Sequence, residues 1–251
     1  GGKFGGSAYK ISGGLHGVGA SVVNALSVYC KAEAHRDGGK YVQEYSQGKK
    51  KSAVKKIGSS KLHGTIITFE PDEEIFGKIK FDWHTVVNHI RQQAYLVKKL
   101  NISIIDARVA EALLPPTDGS KASAVETDNV FYFKELGLEL PSVSFYFEGG
   151  LVSLVKYYNK FQKPIQNNIF YIEKEMDNVG VEIALQYVDD IVDRIFPFAN
   201  NIYTQEGGTH VTGFKTALTR TLNTYSKKNE MMKESEGGFT GDDVLEGLTA
   251  V

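Results

Sequence analysis

Cysteine is nearly absent from this sequence, which has one, Cys30, among 251 residues. A single cysteine excludes an internal disulfide framework and is typical of a reducing compartment, so we expect a cytoplasmic protein. Long apolar runs are also missing, because no stretch approaches the roughly 18 residues that a membrane span needs. Nor does one sign of charge dominate, since the formal net charge is −1. The chain as a whole is therefore not a strongly basic nucleic-acid binder.

The composition is that of a soluble globular protein. Hydrophobic residues make up 41% of the chain and charged residues 24%, and 251 residues suffice for one large domain or two modest ones. The chain has no initiating methionine and no signal peptide, and residues 247–251 have the pattern of a strand that is beginning. We therefore expect an internal fragment of a longer protein.

A glycine-rich loop lies directly before a predicted helix. Residues 13–19 are Gly-Gly-Leu-His-Gly-Val-Gly, and residues 20–27 are Ala-Ser-Val-Val-Asn-Ala-Leu-Ser. Glycines let the backbone approach a ligand closely, and the first amides of a helix have no intrahelical acceptor. Amides at a helix N-terminus favour anions, so the pattern indicates a site for a polyphosphate nucleotide.

Such a loop also has three more familiar interpretations. A tight helix entry without any ligand is common for sequences of this kind. The P-loop pattern ends in Gly-Lys-Ser/Thr, whereas Gly19 is followed by Ala20 and Ser21. The dinucleotide fingerprint follows a buried strand, but residues 1–12 are polar and rich in glycine. The two standard nucleotide motifs therefore do not apply.

The rest of the first half predicts strands and one long helix. Apolar and polar residues alternate over 28–35 and again over 40–46, with a turn signal at 37–39, and 64–69 is rich in β-branched residues. Residues 82–100 show a helical stripe, and 102–105 return to a strand. This order predicts a two-layer α/β arrangement. Five lysines at 49, 50, 51, 55 and 56 are interpreted as a solvated hairpin tip, because no aromatic residues interleave with them.

The second half predicts a separate α+β unit. Strands are expected at 143–147, 170–175 and 181–187, a helix from about 150 to 158, and a long helix that opens at 206–210. Thr240 is the N-cap signal of a last short helix. Between the halves, residues 108–142 contain a Pro-Pro-Thr-Asp-Gly-Ser cluster and one possible short strand at 130–133, so we expect a surface insert or linker there.

Several motifs in this order resemble the ATPase components of bacterial type II topoisomerases, DNA gyrase B above all. The first half carries Gly-Gly-Lys-Phe at 1–4, Tyr-Lys-Ile-Ser-Gly-Gly-Leu-His-Gly-Val-Gly at 9–19 and Val-Val-Asn-Ala-Leu-Ser at 22–27. The second carries Tyr-Phe-Glu-Gly-Gly at 146–150, Asn-Asn-Ile at 200–202, Glu-Gly-Gly-Thr-His at 206–210 and Gly-Asp-Asp at 241–243. The resemblance covers nearly the whole chain except residues 108–142.

The resemblance implies an α+β chain of two domains. Residues 1–107 would be the C-terminal part of a GHKL-type ATPase α/β sandwich, and 143–251 a transducer of the ribosomal-protein-S5-like fold. The segment 108–142 would be an insert or linker, longer than is common in the family.

The same resemblance implies a nucleotide site for ATP. The lid would hold the β- and γ-phosphates through backbone amides, Lys3 would reach the γ-phosphate, and Thr65 would contact adenine. The full set of implied nucleotide-binding residues is Lys3, Tyr9, Lys10, Gly14, Leu15, His16, Gly17, Val18, Gly19 and Thr65. His16 is expected to act through its backbone amide, because no partner carboxylate or second histidine is placed beside it. The family's catalytic glutamate and its Mg2+-binding asparagine lie upstream of Gly1, so no catalytic or metal-binding residue is expected in this segment.

The implied function is the ATP-operated part of a type II DNA topoisomerase. ATP would close two copies into a dimeric gate, and the complex with the gyrase A protein, an A2B2 heterotetramer, would pass and negatively supercoil DNA. No membrane partner is expected. Two alternatives stay open: the corresponding ATPase component of topoisomerase IV, which serves decatenation, and a diverged binding module that does not hydrolyse ATP. The gene sequence upstream of Gly1 tells the diverged module from the two ATP-hydrolysing enzymes, since only the enzymes would carry the catalytic glutamate there.

Overall fold

The computed structural model describes residue 13 and residues 16–108, 140–177, 179–232 and 237–251. These residues form two compact units. One contains His16–Val86 with residues 104–108 and 140–143, and the other contains Val87–Ser103 with the described residues from 144 onward. Within the described ranges, no helix is both long and apolar enough to cross a membrane.

The first unit is built on an antiparallel sheet. Its elements are α1 (Gly19–Ala25), β1 (Ser27–Arg36), β2 (Gly39–Ser46), β3 (Lys49–Lys50), β4 (Lys55–Ser59), β5 (Gly64–Pro71) and α2 (Glu73–Phe76). Five strands form the sheet in the order β3-β2-β1-β5, and β4 also pairs with β2. The predicted turn between β1 and β2 is confirmed, because Asp37 and Gly38 both have positive φ, 51° and 73°, as a two-residue hairpin of matching twist requires.

The register of this sheet sorts its side chains onto two faces. Ala34 on β1 lies opposite Tyr41 of β2 and Thr65 of β5. Neighbouring strand residues point to opposite faces, whereas residues paired across strands share one. Thr65 therefore lies on the face of Ala34, while Glu33 and His35 lie on the other.

The second unit has its own sheet and helices. Three elements contain a boundary between the units: α3 (Trp83–Leu96), β6 (Ile102–Ile105) and β7 (Ser142–Phe145). The elements that lie wholly in the second unit are α4 (Gly150–Tyr158), β8 (Phe170–Met176), β9 (Val179–Tyr187), β10 (Arg194–Ile195), β11 (Phe198–Ala199), β12 (Ile202–Tyr203), α5 (Thr209–Lys228), α6 (Gly241–Leu245) and β13 (Leu248–Ala250). The described strands include a four-stranded sheet of order β10-β13-β9-β8, and β6 pairs with β7.

The core of the second unit lies between this sheet and its helices. Leu185, Leu245, Leu248 and Ala250 form a buried cluster, against which Phe214 and Leu218 of α5 pack. The long helix predicted to open at 206–210 is thus confirmed, and these two residues lie on the face that it turns toward the sheet. Removing this apolar surface from water stabilises the unit by roughly 25 cal/mol per Å² buried.

Several sequence predictions differ from the structure in detail. Helix α3 ends at Leu96 and not at 100, and Lys99 just beyond it has φ 64°. The short α2 was not predicted; Asp72 caps it by accepting from the Glu74 amide at 2.9 Å. The five lysines at 49–56 are exposed as predicted, but four of them lie in strands β3 and β4 and not at a hairpin tip. The strand predicted at 130–133 lies outside the described residues.

Candidate functional site

The N-terminal end of α1 is open. Val18 precedes the helix without a side-chain cap, and the first helical hydrogen bond runs from the Val22 amide to the Val18 carbonyl at 2.9 Å. Residues 19–21 thus lie in the first turn, whose amides have no acceptor within the helix. Gly17 has φ 66°, a conformation that a Cβ disfavours. Residues 16–21 thus have backbone amides that can face an anion, and the binding of phosphate there stays a prediction.

The C-terminal end of α1 is fixed to the sheet. The Gly48 amide donates to the Asn24 carbonyl at 3.0 Å, and the Asp72 amide donates to the Leu26 carbonyl at 3.0 Å. Gly48 has φ 76°, and a Cβ built on it would lie 3.4 Å from the Ala25 Cα, so glycine suits this position. A helix with no buried residue of its own is in this way held by its C-terminal carbonyls.

Asp72 is a buried carboxylate that sequence reasoning missed. It is 2% exposed. Besides capping α2, it accepts a hydrogen bond from Gln47 Nε2 at 2.7 Å. Its backbone amide donates to the Leu26 carbonyl at the end of α1. Asp72 thus connects three segments: the end of α1, the turn that contains Gln47, and α2. The position directly after Pro71, at the end of a strand, was the available signal for an N-cap.

The predicted site residues are distributed as follows. Gly17, Val18 and Gly19 lie at the start of α1, and His16 is exposed just before them. Thr65 is exposed on β5, a strand against which α1 packs. The other five predicted residues lie outside the described residues: Lys3, Tyr9, Lys10, Gly14 and Leu15. Gly19 thus lies in α1 and Thr65 on β5, and these two elements touch, but the β5 residues that line the groove beside α1 are Phe69 and Pro71 and not Thr65.

A groove of about 440 Å³ lies beside α1. Val22, Val23 and Leu26 line it from the helix, and Phe69 and Pro71 line it from β5. Lys78 and Lys80 also border the groove, but most of its lining is apolar and suits a hydrophobic group better than phosphates. This groove is therefore a neighbour of the candidate phosphate site and is not the site itself.

A buried polar network lies on the opposite face of the same sheet. His35 Nε2 donates to Glu33 Oε1 at 2.9 Å, and His35 Nδ1 lies 2.7 Å from Ser60 Oγ. Burial alone would raise the pKa of Glu33, but hydrogen bonds from His35 and Lys40 and the charge of Lys31 hold that pKa below its ordinary value. All three network members are less than 9% exposed. The serine, the histidine and the carboxylate of this network therefore have a structural role and not a catalytic one, because they are too buried for a substrate to reach them.

A second polar network joins the residues just after α3 to the sheet of the second unit. Lys98 Nζ donates to the Tyr171 hydroxyl at 2.5 Å and lies 2.9 Å from Glu182 Oε1. Burial and hydrogen bonds to carboxylates raise the pKa of Tyr171 to about 12, although Lys98 acts against this rise. Gly150 has φ 52°, and a Cβ on it would lie 2.6 Å from Lys98 Cγ. The Glu-Gly-Gly motif therefore has a structural role, since its last glycine makes room for Lys98.

The described residues contain no cluster of side chains suited to binding a metal ion. No group of three or more histidine, cysteine, aspartate or glutamate side chains is arranged there to hold an ion.

Sequence comparison relates the chain to gyrase B proteins over its full length. The family model described as DNA gyrase B matches residues 150–251. The DNA gyrase B protein of Clostridium acetobutylicum is 44% identical over 252 residues, which cover 100% of this chain and 35% of that protein. That of Halalkalibacterium halodurans is 42% identical with the same coverage, and that of Bacillus mycoides is 39% identical and 55% covered. The chain thus spans between a third and about half of the curated relatives that it matches.

Solved structures agree with the sequence matches. The 43K ATPase domain of Thermus thermophilus gyrase B, in complex with an aminocoumarin, matches with a TM-score of 0.73 and 32% identity, covering 94% of this chain and 57% of that one. The topoisomerase IV ATP-binding domain of Francisella tularensis matches with a TM-score of 0.67 and 25% identity, covering 96% and 58%. The predicted resemblance and the α+β fold class are confirmed.

Proposed function

We propose that this chain, which belongs to the DNA gyrase B family, is the ATP-binding and transducing segment of a type II DNA topoisomerase. The observation that carries this proposal is the match to gyrase B proteins over 100% of the chain. The open N-terminal end of α1, at the position of the family's phosphate-binding loop, supports it. In the proposed reaction cycle, ATP binding closes two copies into a gate through which DNA passes.

ATP fits the described part of the site. The positive φ of Gly17 and the first-turn amides of α1 form a cradle of donors for phosphate oxygens. We assign the cradle to residues 14–19 and the adenine contact to Thr65. Lys3 supplies a point charge for the γ-phosphate, and Tyr9 and Lys10 flank the nucleotide. The described residues offer no cluster for Mg2+, and no step of this proposal passes through a metal ion.

The second unit would relay the nucleotide state. We propose that residues 143–251 form a transducer of the ribosomal-protein-S5-like fold and that 108–142 is a linker between it and the ATPase part, residues 1–107. ATP stabilises only the closed gate, and a ligand shifts a two-state equilibrium by its differential affinity for the two states. In the full-length protein, we propose partnership with the gyrase A protein in an A2B2 complex.

The substitution Gly17→Val in the full-length protein tests the loop. A β-branched residue at φ 66° costs of order 1–3 kcal/mol in the required conformation, and its side chain crowds the phosphate path. We expect dimerisation driven by a non-hydrolysable ATP analogue to be lost, as measured by light scattering. Unchanged dimerisation would refute the assignment.

Gly38→Val is the matched control for that test. Gly38 has φ 73°, close to that of Gly17, a Cβ built on it meets no atom within 4 Å, and it lies in the turn between β1 and β2 with no proposed contact with the nucleotide. If both variants lose dimerisation, backbone strain and not the phosphate site explains the result. Only loss confined to Gly17→Val supports the cradle.

Topoisomerase IV is the second candidate, favoured by the similarity to the Francisella tularensis ATP-binding domain. The two enzymes differ in what the reconstituted complex does to DNA. Supercoiling of relaxed plasmid by the full-length protein with its partner would establish gyrase. Decatenation without supercoiling would establish topoisomerase IV.

A further inference from the structure

Five exposed lysines follow one edge of the first unit's sheet. We call them the lysine edge: Lys49, Lys50, Lys51, Lys55 and Lys56. None of the five forms an ion pair with a carboxylate of the described residues, and Lys31 and Lys40 on the neighbouring strands both pair with Glu33, at 3.8 and 3.1 Å. A chain of net charge −1 therefore holds a local concentration of positive charge that the acidic residues of the described ranges leave unneutralised.

The geometry of the lysine edge is linear. Strands β3 and β4 pair in succession with the same strand, since Lys50 lies opposite Tyr45 and Lys55 opposite Val42. Together they form the outer strand of the sheet on this side. Lys49 lies opposite Ser46 and Lys56 opposite Tyr41, five steps along β2, so at about 3.3 Å per residue the lysine edge spans roughly 17 Å. By register, Lys50 and Lys56 share one face and Lys49 and Lys55 the other, so charge is presented on both sides of the edge.

We propose that the lysine edge contacts the phosphate backbone of duplex DNA without reading its sequence. The inference rests on the proposed function, which brings DNA to this protein. Duplex DNA carries about one negative charge per 1.7 Å, so roughly 10 charges lie along 17 Å and exceed the five lysines. Lysine binds phosphate as a point charge. Backbone contacts need no aromatic stacking, so the lack of interleaved aromatics does not oppose this partner.

The lysine edge has two alternative roles to weigh: protection of an edge strand and binding to an anionic membrane. Lysines on edge strands prevent pairing with other sheets, but this role needs no polyanion. An anionic membrane would need an apolar face beside the charges, whereas the exposed Val54 and Ile57 stand singly among them. A linear double-sided row of unpaired charges fits a duplex better than either.

Binding of the full-length protein to a fluorescent duplex of about 30 base pairs tests the proposal, with anisotropy measured between about 50 and 200 mM salt. The variant K49Q/K50Q/K51Q/K55Q/K56Q should bind at least about tenfold more weakly at the low salt. Its slope of log K against log salt should shrink by about 3 to 4, since each lost phosphate contact removes roughly 0.9. Five matching Lys→Arg substitutions should retain the affinity and show that charge is what matters.

The matched control removes five exposed lysines elsewhere: K78Q/K80Q/K99Q/K174Q/K227Q. An equal loss of affinity in this control, or unchanged affinity in the glutamine variant of the lysine edge, would overturn the inference. So would lysine-dependent binding to phosphatidylserine vesicles with no effect on the duplex. Dimerisation driven by an ATP analogue is measured in the same samples. Its absence in the unsubstituted protein would refute the proposed function. Normal dimerisation, together with unchanged DNA binding in the glutamine variant of the lysine edge, would refute only the role of the lysine edge.

Discussion

The interiors of the two units differ in the kind of contact that stabilises each of them. In the second, Leu154, Val155, Ala184 and Leu248 are at most 1% exposed and build an apolar interior. In the first, Cys30 is the buried apolar side chain among the described residues, and the other buried groups are polar: Ser27, Glu33, His35, Ser60 and Asp72. Large apolar side chains of β5 stay exposed, with Ile67 at 54%.

This difference determines which kind of substitution should lower the stability of each unit. An apolar core loses stability when volume is removed, because the cavity left behind relaxes only in part. A polar interior loses stability when one partner of a hydrogen bond is removed, because the other is left buried without a partner. The unit with the candidate phosphate loop should thus respond to charge and hydrogen bonding, and the other to volume.

The largest effect is expected from Leu248→Ala in the second unit. Leu248 is fully buried on β13, between β10 and β9 and within the apolar cluster. Truncation should destabilise this unit by about 2–5 kcal/mol. Hydrogen exchange of β9 amides in the full-length protein measures the loss. The control Ile191→Ala removes an exposed side chain and should stay within about 0.5 kcal/mol; equal losses in both would contradict an apolar core here.

A smaller effect is expected from Asp72→Ala in the first unit. The change leaves the Glu74 amide and Gln47 Nε2 without their acceptor, so we expect a loss of about 1–3 kcal/mol. Faster exchange of the Gly48 amide, which holds α1, would measure how far the loosening spreads. Glu74→Ala, on an exposed neighbour, is the control and should change little. Unaltered protection in Asp72→Ala would mean that Asp72 does not hold these segments.

Local patterns predicted most of the elements of both units. Alternation placed β1 and β2 to within one residue, and the capping signal at Thr240 is confirmed by a reciprocal pair of hydrogen bonds with Asp243. The glycine-rich loop was correctly predicted to precede a helix; the helix begins at Gly19, one residue before the predicted start at Ala20. Such features depend on neighbours in sequence, which is why the sequence alone reveals them.

Long-range contacts could not be predicted in this way. The network of Glu33, His35 and Ser60 joins residues 25 positions apart, and no local pattern indicates that pairing. The pairing of the lysines of β3 and β4 with β2 was missed, because that pairing depends on register and not on propensity. Asp72 was missed for the same reason, since its partner Gln47 lies 25 residues away.

The smallest effect at neutral pH is expected from Glu33→Gln, because glutamine keeps the size and an acceptor for His35 and loses only the ion pairs with the partly exposed Lys31 and Lys40. The difference should appear on acidification. The pKa of Glu33 is lower in the folded protein than its ordinary value of about 4.3, so this group's contribution is complete above that value and is lost as pH falls through the folded pKa. The urea midpoint should therefore fall less between pH 7 and about pH 3.5 in Glu33→Gln than in the unsubstituted protein, whereas Glu175→Gln, at an exposed carboxylate on β8, should leave the fall unchanged. An identical fall in all three proteins would show that Glu33 does not couple the first unit to pH, and the contrast between a polar and an apolar interior would then lose its electrostatic part.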